Sequence, residues 1–128
     1  MKINYYALAS RSLIALLFVF AGFGKLMGFA ATSAMIAKLG VPLAPLATII
    51  VILIELPVAL AFAWGYKTRE TGYALIAFTV LATLLAHRDF TQQMNIIMVL
   101  KNLAIVGGIM AAISCACKDC VVHHVKKS

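Results

Sequence analysis

Charge is the scarcest material in this sequence. Of 128 residues only 12% are Asp, Glu, Lys or Arg, and only four of those are acids. A soluble domain carries roughly 25% charged and about 45–50% apolar residues, whereas this chain is 64% hydrophobic with a mean hydropathy of +1.04. A water-soluble fold of this length has too much surface for so little polar material to cover. Other absences narrow the field. No repeat, low-complexity tract, lipidation motif or retention motif is present. No haem motif, flavin fold or iron–sulfur spacing appears either.

What the chain has instead is four apolar runs, near residues 8–29, 43–64, 71–86 and 94–114. About 20 apolar residues in a helix cross roughly 30 Å of hydrocarbon. The third run is short, and His87 and Arg88 extend it by reaching toward the interface. The expected fold is all-α: one domain, residues 1–128, forming a four-helix transmembrane bundle in contact with the lipid bilayer. The N-terminal run imitates a secretory signal, but it is long, contains Arg11 and meets Lys25 without an A-x-A-like site, so it reads as a retained helix. "KLGVPLAP", "WGYKTRETG" and "HRDFTQQ" separate the runs. Connections this short imply antiparallel neighbours, and Pro42 or Pro45 suits a first helical turn.

Lys2, Arg11, Lys67, Arg69, Lys118, Lys126 and Lys127 fall on the side holding both termini and the second loop; Lys38 and Arg88 fall on the other. The positive-inside rule then places both termini in the cytoplasm. The net charge of +7 is thus a topology signal, and nucleic acid is excluded as a partner because no soluble basic surface remains.

Ionisable groups inside a span are costly and face a partner or a wet cavity. Arg11 and Lys25 in helix 1, Glu55 in helix 2, His87 at the end of helix 3 and Lys101 in helix 4 are such groups, and they form the candidate binding set. Arg11 and Lys25 share a helix face with Phe18 and Gly22. Gly72, Ile76, Thr79, Thr83 and His87 make a mildly polar stripe on helix 3, and Asn102 sits beside Lys101. Counted from the cytoplasmic ends of the runs, Arg11 lies about 5 Å deep, Glu55 about 13 Å, Lys101 about 20 Å and Lys25 about 25 Å. Glu55 is therefore expected to face the interior, with Arg11 and Lys101 both contributing to it and Lys25 pointing to the outer mouth with His87. Pro57 lacks the amide that would bond the Leu53 carbonyl and is expected to kink the helix beside the acid. "GKLMG" gives Gly24 and Gly28 the small-xxx-small spacing that suits packing within the bundle or homodimer formation. Cys115, Cys117 and Cys120 could hold a soft metal only with His123 or His124 as fourth ligand, or exchange disulfides. On the cytoplasmic side they read first as reduced, non-ligating thiols.

With these residues in view the chain resembles the DoxX family of small bacterial inner-membrane proteins, over about Ser10 to Ala112. The resemblance rests on "RSLIALLFVFAGFGKLMGF", "LGVP", "IELP", "GYKTRETGYAL", "AHRDF" and "KNLAIVGGIM". Family positions fall on Arg11, Gly22, Lys25, Glu55, Thr68, Arg69, His87, Lys101, Asn102, Gly107 and Gly108. The usual glycine- and proline-rich tail is replaced by "SCACKDC". The family takes its name from a subunit of a thiosulfate:quinone oxidoreductase. The resemblance therefore implies a membrane subunit supporting quinone-linked chemistry, with a quinone as ligand and an oxidoreductase subunit as partner. The residues leave two other classes open. One is a proton or small-solute transporter, for which four spans are few unless a homodimer doubles them. The other is a non-catalytic scaffold in which the charges fix helix register.

Overall fold

A computed structural model describes residues 5–116. Cys117, Cys120, His123, His124 and the terminal lysines 2, 118, 126 and 127 lie outside the described residues. Every regular element is helical: α1 (Tyr5–Met27), α2 (Phe29–Lys38), α3 (Ala44–Leu53), a π-helical turn (Ile54–Val58), α4 (Ala59–Trp64), α5 (Thr68–Ala86) and α6 (Gln93–Ala116). Four units are long and apolar enough to cross a membrane: α1, the continuous stretch Ala44–Trp64, α5 and α6. The fold is thus a four-helix transmembrane bundle.

Two boundaries differ from the sequence expectation. The third span begins at Thr68 rather than Thr71, which gives it 19 residues and removes its apparent shortness. The stretch between the first run and the "KLGVPLAP" connection, left unassigned by the run boundaries, forms α2, ten residues long. Its apolar residues continue those of α1 with only Gly28 between them, so no polar break announced it. Gly28 still donates to Gly24 and accepts from Thr32, so the backbone ladder bridges the step. Pro45 occupies the first turn of α3, where its missing amide costs nothing.

The core is built on three- and four-residue spacing. Thr48, Ile52, Glu55, Ala59 and Phe62 are buried along the second span, and Thr68, Gly72, Leu75 and Thr79 along α5. Phe62, Leu75 and Ile109 are completely enclosed, with Ala15, Phe18, Ala112 and Ile113 around them. Phe18 meets Phe78 edge to face, ring centroids 6.4 Å apart. Only 17–22% of each span is buried inside the bundle. The remaining surface is mostly Leu, Ile, Phe and Met, which suits lipid and not water.

Pro57 acts differently from the expected kink. It lies within the π-helical turn. A π-helix pairs each carbonyl with the amide five residues on. The Leu53 carbonyl is thereby offered the Val58 amide in place of the one that proline lacks.

Candidate functional site

The π-turn decides what stands opposite α1. Gly22 is buried against it, and a Cβ built on Gly22 would lie 2.8 Å from the Glu55 Cβ and 3.0 Å from Leu56 Cγ. Only glycine allows that approach. One helical turn further on, Lys25 directs its ammonium onto both carboxylate oxygens of Glu55, at 2.9 Å each. Cα–Cβ bonds tilt toward the helix N-terminus, so the Lys25 side chain runs back from its own level to that of Gly22. The pair is unequally sheltered: the Glu55 side chain is 5% exposed and that of Lys25 26%.

This corrects the expected partners of Glu55. Arg11 lies well below, its guanidinium against Gly65, where an added Cβ would meet Nη2 at 3.3 Å. Its Nε is buried without a hydrogen-bond partner. Lys101 is exposed on the bundle surface. The depth count failed because apolar runs do not start at a common level. With Arg11 beside Gly65, the rises from Arg11 to Gly22 and from Gly65 to Glu55 are each about 16 Å. The second span is therefore offset against the first by about one turn, which lifts Glu55 to the reach of Lys25.

Above the pair, α3 packs on α1 and α2 while α5 packs on α6, α4 and the π-turn. The divergence of α3 from α5 leaves a cavity of about 780 Å³, walled chiefly by Leu, Ile, Ala and Phe side chains. Its charged and polar lining is Lys25, Glu55, Thr79, His87 and Asn102. Leu17, Ile50 and Leu81 line it too while being 46–58% exposed, so the cavity opens sideways toward the hydrocarbon. Among the expected residues, Lys25, Glu55 and His87 come together here; Arg11 and Lys101 do not.

Asn102 takes the place intended for Lys101. Its Nδ2 donates to the Thr83 hydroxyl at 2.8 Å, the Thr83 hydroxyl donates to the Thr79 carbonyl and the Thr79 hydroxyl to the Leu75 carbonyl. The polar stripe on helix 3 was the signal for this partner, since a residue adjacent to Lys101 points about 100° away from it. His87 ends α5, and its Nδ1 faces the Asn95 amide oxygen at 3.3 Å. Beside it, the loop is held by Asp89, which accepts from both the hydroxyl and the amide of Thr91. Those two bonds hold the Asp89 carboxyl below the usual carboxylate range.

The other candidates are not part of this site. Gly24 has no neighbour within 4 Å of an added Cβ, and Gly28 meets only the Gly24 carbonyl, so their spacing serves no helix packing among the described residues. Cys115 is a free, exposed thiol. Among the described residues no cluster of three metal-ligating side chains exists.

Comparison with known proteins agrees with the architecture. The family model DoxX matches residues 6–88, a stretch that contains Lys25, Glu55 and His87 and stops before Asn102. The chain is 39% identical over 105 residues to "Inner membrane protein YqjF" of Escherichia coli K12, covering 80% of this chain and 78% of the relative. It is 33% identical over 108 residues to "Inner membrane protein YphA" of the same organism, covering 80% and 77%. No solved structure matches. By the extent of the family match and the identity to both relatives, this chain belongs to the DoxX family.

Proposed function

We propose that the protein is an inner-membrane subunit that holds a quinone-type amphiphile in the cavity beside Lys25 and Glu55, in support of an oxidoreductase whose redox centre lies on another chain. The observation that carries this is the cavity itself. It is an apolar recess of about 780 Å³, open toward the hydrocarbon, with Lys25, Glu55, His87 and Asn102 placed in its wall. That volume lies within the roughly 300–1,000 Å³ typical of ligand sites, which are mostly apolar with a few placed polar groups. Lys25 spends two of its three protons on Glu55 and keeps one for a carbonyl oxygen. The names of both relatives support the inner membrane as location.

Binding of a short-chain benzoquinone to the purified protein in mild detergent tests this. Lys25→Met and Glu55→Gln are expected to weaken it about tenfold or more, the loss of one charge-assisted hydrogen bond. Lys101→Met should leave it unchanged, because Lys101 lies outside the cavity. Failure of the wild type to bind, or equal affinity in all four proteins, would overturn the proposal.

The orientation belongs to the same proposal: both termini cytoplasmic, with His87 and the cavity in the outer half. It is supported by Arg11 lying beside Gly65, next to Lys67 and Arg69, which gathers the basic residues at one end. Single cysteines at positions 38 and 67, on a background without native thiols, report the two sides. Position 38 is expected to react with an impermeant maleimide in intact cells and position 67 only after permeabilisation; the opposite pattern would invert the protein.

A further inference from the structure

The hydrogen bonds around His87 carry information about which redox form the cavity accepts. The Asn95 Nδ2 donates to the Asp89 backbone carbonyl at 2.8 Å. A carbonyl only accepts, so the orientation of this amide is fixed by its partner. Its oxygen is thereby turned to His87 Nδ1 and can only accept in turn. The proton of a neutral imidazole must then sit on Nδ1, which leaves a lone pair on Nε2. Among the described residues Nε2 makes no hydrogen bond, while His87 lines the cavity.

The other polar groups of the upper wall, away from Lys25 and Glu55, point the same way. The hydroxyl protons of Thr79, in the wall, and of Thr83, which Asn102 reaches beside it, are both committed to backbone carbonyls of their own helix, so neither is offered to a ligand. Asn102 uses an N–H on Thr83 and its amide oxygen has no partner among the described residues. The two lining residues of the upper wall therefore each keep an acceptor uncommitted, Nε2 on His87 and Oδ1 on Asn102. Charge is balanced lower down, where Lys25 and Glu55 sum to zero, so the cavity has no unspent cation for an anionic ligand.

We propose that His87, with its tautomer set by Asn95, makes this cavity selective for a neutral, bilayer-soluble ligand that donates a hydroxyl proton: the hydroquinone in preference to the quinone. This rests on occupancy of the cavity by a quinone-type amphiphile as proposed above. A phenolic O–H meets the Nε2 lone pair with a hydrogen bond. A quinone carbonyl in the same place sets lone pair against lone pair, and leaves a desolvated acceptor unpaired on each side. His87 is thus a ligand-binding residue and Asn95 a positioning residue behind it.

The test is isothermal titration of the full chain in mild detergent with decyl-benzoquinone and, under argon, decyl-benzoquinol. The wild type is expected to bind the quinol about three- to tenfold more tightly, the span of one net hydrogen bond. His87→Phe, which keeps an aromatic ring in the wall, should bring the ratio to about one without weakening the quinone. Asn95→Leu frees the tautomer and should lower the ratio part of the way. His87→Gln offers both a donor and an acceptor and should also bring the ratio toward one, so the result does not hang on the folding of a single variant. Equal affinity of the wild type for both forms overturns the inference and leaves cavity occupancy standing, as does equal loss of both probes in folded His87→Phe. Binding of neither probe overturns the occupancy itself.

Discussion

Lys25→Met is expected to lower the unfolding free energy by about 3 kcal/mol, measured by denaturant titration in mixed micelles. Removing one partner of a buried ion pair costs about 3–5 kcal/mol, because the survivor is left without compensation. The lower edge applies because the Lys25 side chain keeps 26% of its exposure, where solvent screens the pair. Glu55 has no other described donor to turn to, and Arg11 lies a further 16 Å or so along α1. Replacing both partners should therefore recover most of the loss: Lys25→Met with Glu55→Leu leaves no uncompensated charge. Glu55→Gln is expected to be milder than Glu55→Ala, since the amide keeps an acceptor for Lys25 and fills the same volume. A Lys25→Met protein as stable as the wild type would show that Glu55 does not depend on Lys25.

The second large effect is expected at Gly22. Gly22→Ala should destabilise by about 1–3 kcal/mol, the usual cost of overpacking, whereas Gly24→Ala should be neutral or stabilising by up to about 1 kcal/mol. The contrast lies in what each added carbon meets. At Gly22 it meets the Glu55 Cβ at 2.8 Å, and at Gly24 nothing within 4 Å. A Cβ is fixed by its backbone, so no rotamer change at Glu55 relieves the contact. The helices must part, which also draws the Lys25 ammonium from its carboxylate. Thermal unfolding of the two variants side by side reads the difference; equal melting temperatures would mean that α1 and the π-turn are not held at this distance.

How far the sequence carries depends on which kind of information a feature needs. Four spans were legible because bilayer thickness and helix rise together demand apolar runs of a given length. The burial of Glu55 was legible because lipid offers a carboxylate no partner. The identity of that partner was not, since it turns on the vertical offset between two helices. That offset is set by contacts such as Arg11 against Gly65 and Gly22 against Leu56, which run lengths do not encode. Lys25 looked too high because its level was taken at Cα, although its side chain descends a full turn. Asn102 was passed over in favour of its charged neighbour, although the threonines of α5 were already marked as a polar stripe without an assigned partner. Pro57 announced a disturbance correctly, but the same missing amide permits a bend or a widened turn.

The 2.9 Å closeness of Lys25 and Glu55 has an electrical consequence. A membrane potential acts on net charge, at about 2.3 kcal/mol per elementary charge per 100 mV crossed. Two opposite charges a few ångströms apart feel almost equal and opposite forces, so the pair contributes little to any voltage dependence. A neutral molecule docking beside it moves no charge through the field either. For the neutral ligand proposed above, exchange between the cavity and the surrounding lipid is then expected to be the same in an energised cell as in a depolarised one, and the Lys25–Glu55 pair is blind to the voltage across it.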